Sequence, residues 1–261
     1  MGEPILGVSG GYGYESRSLF AAQPGWDQVG IDLSGLELRC LAHYLTPYDD
    51  GAYADTVVNG DVHTLNQQAA GLRTRAAAKT FVYALLYGAG DLKLGTTAME
   101  DVGASGWTER KLRTEGKKLK TALLTNIPAL GILVSRVKAK GAGGKLIGLD
   151  GRTLYVRSAH AALNTLLQAA GAIIAKRWMV GTHQHLRTDG LILGQDFNQV
   201  AFVHDELQFE CRKGLWIDKE KGEHRVGEAA KRAVKETGSV LNLRCQLDCE
   251  YKVGHNWAQT H

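Results

Sequence analysis

Apolar residues fall in two different rhythms along this 261-residue chain, and the change of rhythm predicts its layout. The run Val29-Gly30-Ile31 in WDQVGIDLSGLELRC is short and apolar, which predicts a buried strand ending at Asp32 with a helix directly after it. Ser34 and Glu37 have capping-box spacing at that helix. Near the other end, QVAFVHDELQFEC predicts two strand segments flanking a tight turn at His204-Asp205-Glu206, and Leu243, Cys245, Leu247 and Cys249 alternate like the inner face of a further strand. Residues 53–140 read instead mainly as helices, punctuated by Gly and by Pro128. In RTRAAAKTFVYALLYGAG, Thr74 is the expected N-cap, Gly88-Ala89-Gly90 the stop, and Ala76, Ala77, Phe81, Leu85 and Leu86 the inward face. Leu149-Asp150-Gly151-Arg152 is a hairpin signal, and Ser158 is placed to cap a long helix, AHAALNTLLQAAGAIIAKRWM, buried on most sides. Strand-like segments near 26–32, 200–211 and 243–253 thus come from both ends, and one sheet with a helical insertion, an α+β chain, is the simplest fold.

Two sets of polar residues stand out from that frame. Arg75, Lys79, Tyr83 and Tyr87 recur every four residues, so two cations and two aromatics share one helical stripe about 18 Å long, each step drifting by ~40°. Phosphates could sit at the cationic end, where the helix N-terminus already favours anions, and a base at the aromatic end. The same spacing also suits a solvated amphipathic helix. Asp32 and Asp205 each stand at a strand end, where two carboxylates on adjacent strands could share cations, although Asp is also a common turn residue.

Composition narrows the picture. A hydrophobic content of 44% and only 4 Pro argue against disorder. The length allows about three quarters of the unfolded surface to be buried, in one large unit or two intimate subdomains. The net charge is +4, with a pI near 8.8, and the excess is local: residues 107–145 hold ten Lys or Arg against two acids, leaving the remainder net acidic. That segment could offset nucleic-acid phosphates or form a solvated helix face. Four cysteines lack the spacing of a disulfide framework or a zinc site, which fits a reducing compartment. There is no charged leader with an apolar core and no apolar run near the ~18 residues of a membrane span.

Three segments in this order resemble the motifs of the polymerase I family (family A) of DNA polymerases, most closely its phage replicative branch. Asp32 to Arg39 has the form Asp-x-Ser-Gly-x-Glu-x-Arg of motif A, Arg75 to Gly88 is similar to the motif B helix, and His204 to Glu206 matches the His-Asp-Glu of motif C. GDVHT with His63, GLDGRTLYVRSAHAALNTLLQAAGA and the final GHNWAQTH extend the resemblance from about Tyr12 to the end of the chain. It implies a right-hand polymerase architecture with the palm, an antiparallel sheet with helices, formed by 1–45 and 158–261 and helical fingers by 46–157. The family's thumb and exonuclease domain have no counterpart here.

The resemblance also implies roles. Asp32 and Asp205, with the carbonyl of Leu33, would hold two Mg2+ ions, with Mn2+ as an alternative. His63, Arg75 and Lys79 would grip the β and γ phosphates of a deoxynucleoside triphosphate, Tyr83 would stack near its sugar and base, and Glu37 would block a ribose 2′-hydroxyl. Arg17, Tyr87, Gly88, Arg152, Asn164, Gln168 and His204 would contact template or primer, with Glu206 supporting the site from behind. His160, Asn164 and Gln168 repeat every four residues, and amide donors in a minor groove can test pair geometry without reading sequence. The implied function is template-directed DNA polymerisation as one part of a split polymerase, in the cytoplasm of a phage-infected bacterium, with primer-template DNA, dNTP and a second polypeptide carrying the thumb as partners. A single-subunit RNA polymerase would need the space at Glu37 open, and a catalytically silent DNA-binding or assembly subunit would not need acids facing phosphates.

Overall fold

The computed structural model describes residues 4–261. Along the chain the elements are α1 (Gly13–Ser18), β1 (Trp26–Leu33), α2 (Leu36–Asp49), α3 (Ala52–Asn59), α4 (Val62–Ala70), α5 (Arg75–Leu86), α6 (Asp91–Asp101), α7 (Glu109–Asn126), α8 (Pro128–Gly141), β2 (Lys145–Ile147), β3 (Thr153–Tyr155), α9 (Ala162–Thr188), β4 (Phe197–Val203), β5 (Glu206–Arg212), β6 (Trp216–Asp218), β7 (Glu223–His224), α10 (Arg225–Val240), β8 (Cys249–Gly254) and α11 (Trp257–Thr260). They pack as two units, Met1–Leu36 with Ala172–His261, and Glu37–Gly171. The fold is α+β, with the strands of its main sheet drawn from both ends of the chain.

The first unit is built on a four-stranded antiparallel sheet in the order β4-β5-β1-β8. Alternation gives the sheet two unlike faces. Val29, Ile31, Leu33, Leu207, Phe209, Cys211 and Cys249 are buried on one face, and α10 contributes Val226, Ala229, Ala230, Ala233 and Val234 to this core. Trp178 of α9 is fully buried and donates its indole N–H to the Ala230 carbonyl at 3.0 Å. The other face carries Gln28, Asp32, Glu206, Gln208 and Glu250, with α11 packed against β1 and β8. Gly30 permits that approach, since a Cβ there would lie 2.5 Å from the Thr260 carbonyl oxygen.

The alternation of Leu243, Cys245, Leu247 and Cys249 predicts a strand from 243, but the strand begins at Cys249. Burial does alternate, with Cys245, Leu247 and Cys249 buried. Pairing is missing because the last partners across the ladder are Leu33 and Cys249, and β1 ends there. Helix α2 starts at Leu36, after Gly35 at φ 59°. All four cysteines are buried and none is in a disulfide among the described residues.

The second unit is helical, and local signals set its boundaries. Asp61 caps α4 by accepting from the backbone N–H groups of His63 and Thr64, Thr74 caps α5 through Ala77 N–H, and Thr108 caps α7 through Lys111 N–H. Pro128 opens α8, and Gly88 at φ 83° follows α5. Helix α5 buries Ala78, Phe81, Val82 and Leu86, so the inward face is rotated from the expected set and Ala76 is exposed. The hairpin signal at Leu149–Arg152 closes β2 onto β3. Ser158 caps a short 3-10 turn, Ala159–Ala161, that leads into α9. Helix α9 is less enclosed than expected, with Ala172, Lys176, Arg177 and Val180, which belong to the first unit, exposed.

Glycine sets the crossing of α6 and α7. A Cβ on Gly95 would overlap the Leu112 carbonyl, and one on Gly116 would overlap the carbonyl of Asp91. Gly116→Ala is therefore expected to lower stability by about 1–3 kcal/mol, the usual cost of overpacking. Thermal unfolding measures this, and an unchanged midpoint would show that the helices can part without loss.

Candidate functional site

The sheet unit gathers carboxylates at one end of β1. Asp32 is opposite Glu206 on one side and Glu250 on the other. The β4–β5 turn consists of His204 and Asp205, His204 taking φ 56°, and the Asp205 carbonyl accepts a 3.1 Å hydrogen bond from Leu33 N–H. Motifs distant in sequence thus meet backbone to backbone. The Asp32 side chain reaches solvent, but the protein around it removes enough water to raise its pKa to about 6. Desolvation is the largest cause, followed by repulsion from Asp205 and Glu206, with His261 acting in the opposite sense.

Glu206 plays a different geometric part. It is only 5% exposed, and its Oε1 accepts from Gln208 Nε2 at 2.5 Å and from Trp257 Nε1 at 2.8 Å, while Oε2 lies 3.0 Å from His261 Nδ1. Gln208 Oε1 in turn accepts from Gln28 Nε2 at 2.7 Å and Thr260 Oγ1 at 3.0 Å. Both oxygens of Glu206 are thus engaged within the protein. Arg17 lies with its guanidinium 5.7 Å from the Trp257 ring centre, joining the N-terminal segment to the same cluster.

The helical unit gathers cations and aromatics. Arg75 and Lys79 are exposed on α5, and no acid lies in its first turn. Arg75 Nε pairs with Asp61 Oδ2 at 2.8 Å, and this contact holds the Asp61 carboxyl well below its usual range. His63 lies in the first turn of α4, its ring centre 6.4 Å from that of Tyr83. Partial burial, then Arg75 and Lys79, lower its pKa, and its Nδ1 is buried without a partner among the described residues. Tyr87 donates its hydroxyl to Glu37 Oε1 at 2.6 Å, and its carbonyl accepts from Asn164 Nδ2 at 3.3 Å. Asn164 Oδ1 is buried and has no partner among the described residues. Gln168 is exposed one turn further on, and Arg152 pairs with Asp150 in the β2–β3 turn.

Of the residues singled out in the sequence, the sheet unit therefore holds Arg17, Asp32, Leu33, His204, Asp205 and Glu206, and the helical unit the others. The sequence reading missed Trp257, Gln208, His261, Glu250 and Asp61 as partners. Trp257 and His261 lie in GHNWAQTH and Asp61 lies in GDVHT, but nothing in those stretches announces contacts across the fold.

Comparison with known proteins decides the family. The sequence model for DNA polymerase family A matches residues 6–259. The chain belongs to DNA polymerase family A. It is 42% identical to the DNA-directed DNA polymerase of Enterobacteria phage T3 and 43% identical to that of Escherichia phage T7, in each case over 98% of this chain and 38% of the relative. The DNA-directed DNA polymerase of Escherichia phage Phieco32 is 36% identical over 89% of the chain and 40% of its own length. The chain thus spans about two fifths of the length of these family members. The POL domain of Pol1 from M. smegmatis, solved with DNA primer-template and dNTP, superposes with a TM-score of 0.74 at 20% identity, over 95% of this chain and 43% of that one, and shares the fold. Among the described residues no single helix is long and apolar enough to cross a membrane.

Proposed function

We propose that this chain is the palm and fingers of a template-directed DNA polymerase, with the palm read onto the sheet unit and the fingers onto the helical one; by sequence the divisions are 1–45, 46–157 and 158–261. The observation that carries the reading is the meeting of the Asp32 and Asp205 segments at the end of β1, where the Asp205 carbonyl accepts from Leu33 N–H and Asp32 is raised to about 6 by desolvation first and then by Asp205 and Glu206. Carboxylates held together against their repulsion suit a divalent cation. Magnesium takes few protein carboxylates and completes its shell with water and substrate phosphates. Two such ions, held by Asp32, Asp205 and the Leu33 carbonyl, would acidify the primer 3′-hydroxyl and offset charge on the triphosphate.

The chain's own residues do the rest. Arg75, Lys79 and His63 bind the β and γ phosphates and compensate the charge of the departing pyrophosphate. Arg75 exchanges Asp61 for phosphate oxygens as the nucleotide arrives. Tyr83 packs against the incoming sugar and base, while Tyr87 and Gly88 border the templating base. Asn164 and Gln168 contact the minor groove of the pair just formed, with Arg17, Arg152 and His204 along primer and template. Glu206, saturated by its own partners, fixes the start of β5 and with it Asp205. Nucleotide is selected when a correctly shaped pair lets these groups close around it.

Acid should weaken the site. Below about pH 6 Asp32 is protonated in the metal-free chain, so proton and cation compete for it. Affinity for Mg2+ or Mn2+ is expected to hold above that pH and to fall by about tenfold per unit below it. Calorimetric titration at several pH values tests this, and a pH-independent affinity would remove Asp32 from the cation site.

We propose as well that a second polypeptide supplies a thumb, with or without a 3′–5′ exonuclease. The support is an apolar surface on the N-terminal segment, where Leu6, Val8, Leu19 and Phe20 are 57%, 80%, 84% and 60% exposed. The complex would work in the cytoplasm of a phage-infected bacterium. Mixing titrations and copurification test the partnership. A monomeric chain that binds DNA tightly at physiological salt and adds many nucleotides per encounter would exclude it.

A further inference from the structure

The β2–β3 hairpin has an outer face that the fold does not use. Leu146 is buried beneath it, whereas Tyr155 is 76% and Ile147 65% exposed on the opposite side. Tyr155 is paired across the ladder with Lys145, whose Nζ lies 5.8 Å from the ring centre. A large ring displayed on a two-stranded hairpin contributes little to folding, because a tyrosine stabilises chiefly through the surface it buries.

The surroundings are strongly biased in charge. Residues 116–149 contain seven Lys or Arg and neither Asp nor Glu; Lys118 and Lys120 pair with Glu115 and Asp91, and Asp150 in the hairpin turn pairs with Arg152. Of the cations in this stretch, Lys138 and Lys140 are exposed in the last turn of α8, which packs against β2. An exposed aromatic with a lysine beside it on the same hairpin and further lysines on the helix packed against that hairpin suits single-stranded nucleic acid, with the ring taking a base and the cations its phosphates. Position within the unit adds a direction. The strand leaving Tyr155 runs through Ser158 and the turn Ala159–Ala161 to Asn164, which donates to the Tyr87 carbonyl, and the His160 carbonyl lies beside Gly88. The hairpin is therefore continuous with the end of α5 at which the templating base is read.

We propose that the outer face of the β2–β3 hairpin is a stacking platform for the single-stranded template ahead of the insertion site, with Tyr155 holding a base and Lys138, Lys140 and Lys145 its backbone. This rests on the polymerase reading and adds the path of the unpaired strand. The occupant is single-stranded DNA, since a duplex keeps its base faces stacked and offers Tyr155 nothing to stack on.

Fluorescence anisotropy with the 261-residue chain tests it at low salt, using two primer-templates that differ only in the template overhang, one nucleotide against ten. The wild-type chain should bind the longer overhang about five- to tenfold more tightly, Tyr155→Ala should reduce that preference to less than about twofold, and Tyr155→Phe should keep it. A preference unchanged in Tyr155→Ala, or equal weakening on both substrates, would overturn the platform. Single-nucleotide incorporation by the wild-type chain on the short overhang separates the two readings. Incorporation without an overhang preference removes the platform alone, and no incorporation removes the polymerase reading with it.

Discussion

Replacing Asp205 by Asn is expected to lower nucleotide incorporation by at least ~10³, about 4 kcal/mol of transition-state stabilisation, while duplex binding stays nearly intact. The substitution is nearly isosteric and leaves the Asp205 backbone carbonyl, which accepts from Leu33 N–H, in place. The turn should survive, leaving loss of a negative charge as the main change. Because repulsion from Asp205 is among the causes that raise Asp32, the variant should also draw the Asp32 pKa down from about 6. Rapid-quench incorporation, DNA-binding titrations and carboxyl NMR measure the three effects. Parallel loss of binding and incorporation would make Asp205 a structural turn residue.

Glu37→Ala is expected to improve use of ribonucleotides relative to deoxynucleotides by roughly thirtyfold, about 2 kcal/mol. Glu37 lies in the first turn of α2, and its carboxylate is fixed by the 2.6 Å bond from Tyr87 hydroxyl, which limits the positions it can take. A fixed carboxylate can exclude a 2′-hydroxyl in a way that a mobile one cannot. Tyr87→Phe should therefore relax sugar selection in the same direction by a smaller amount, about 1 kcal/mol for one lost hydrogen bond. The ratio of kcat/KM for matched ribo- and deoxynucleotides is the readout. No change in the ratio for Glu37→Ala would leave this residue with only a role in ordering Tyr87.

Much of the layout was legible because it is encoded locally. Thr74 and Gly88 bracket α5 because side-chain capping and a left-handed glycine are short-range effects. The strand–turn–strand at His204-Asp205 follows from alternation on either side of two turn residues. Features that depend on a distant partner were not legible. The alternating stretch from Leu243 is a strand only from Cys249, because a ladder needs an edge and β1 stops at Leu33. The rotation of the buried face of α5 depends on which neighbours cover it, and a single helix does not state this. The site divides in the same way: the positions of Asp32, Asp205, Arg75 and Lys79 could be named from motif spacing, whereas the donors around Glu206 from Gln208 and Trp257 join residues with no common period. The pairing of Asp61 with Arg75 was missed although Asp61 stands two residues before His63, because one carboxylate serves both a helix cap and an ion pair.

The most direct test is a single-turnover primer extension with the chain in excess over a labelled primer-template at low salt, supplied with Mg2+ and one nucleotide at a time. Excess protein removes weak DNA binding as the limit on the observed rate. The expected result is addition of one residue from the nucleotide complementary to the template, with release of pyrophosphate, and little addition from the other three. Absence of extension under these conditions, or equal addition of all four nucleotides, would contradict template-directed polymerisation by these residues.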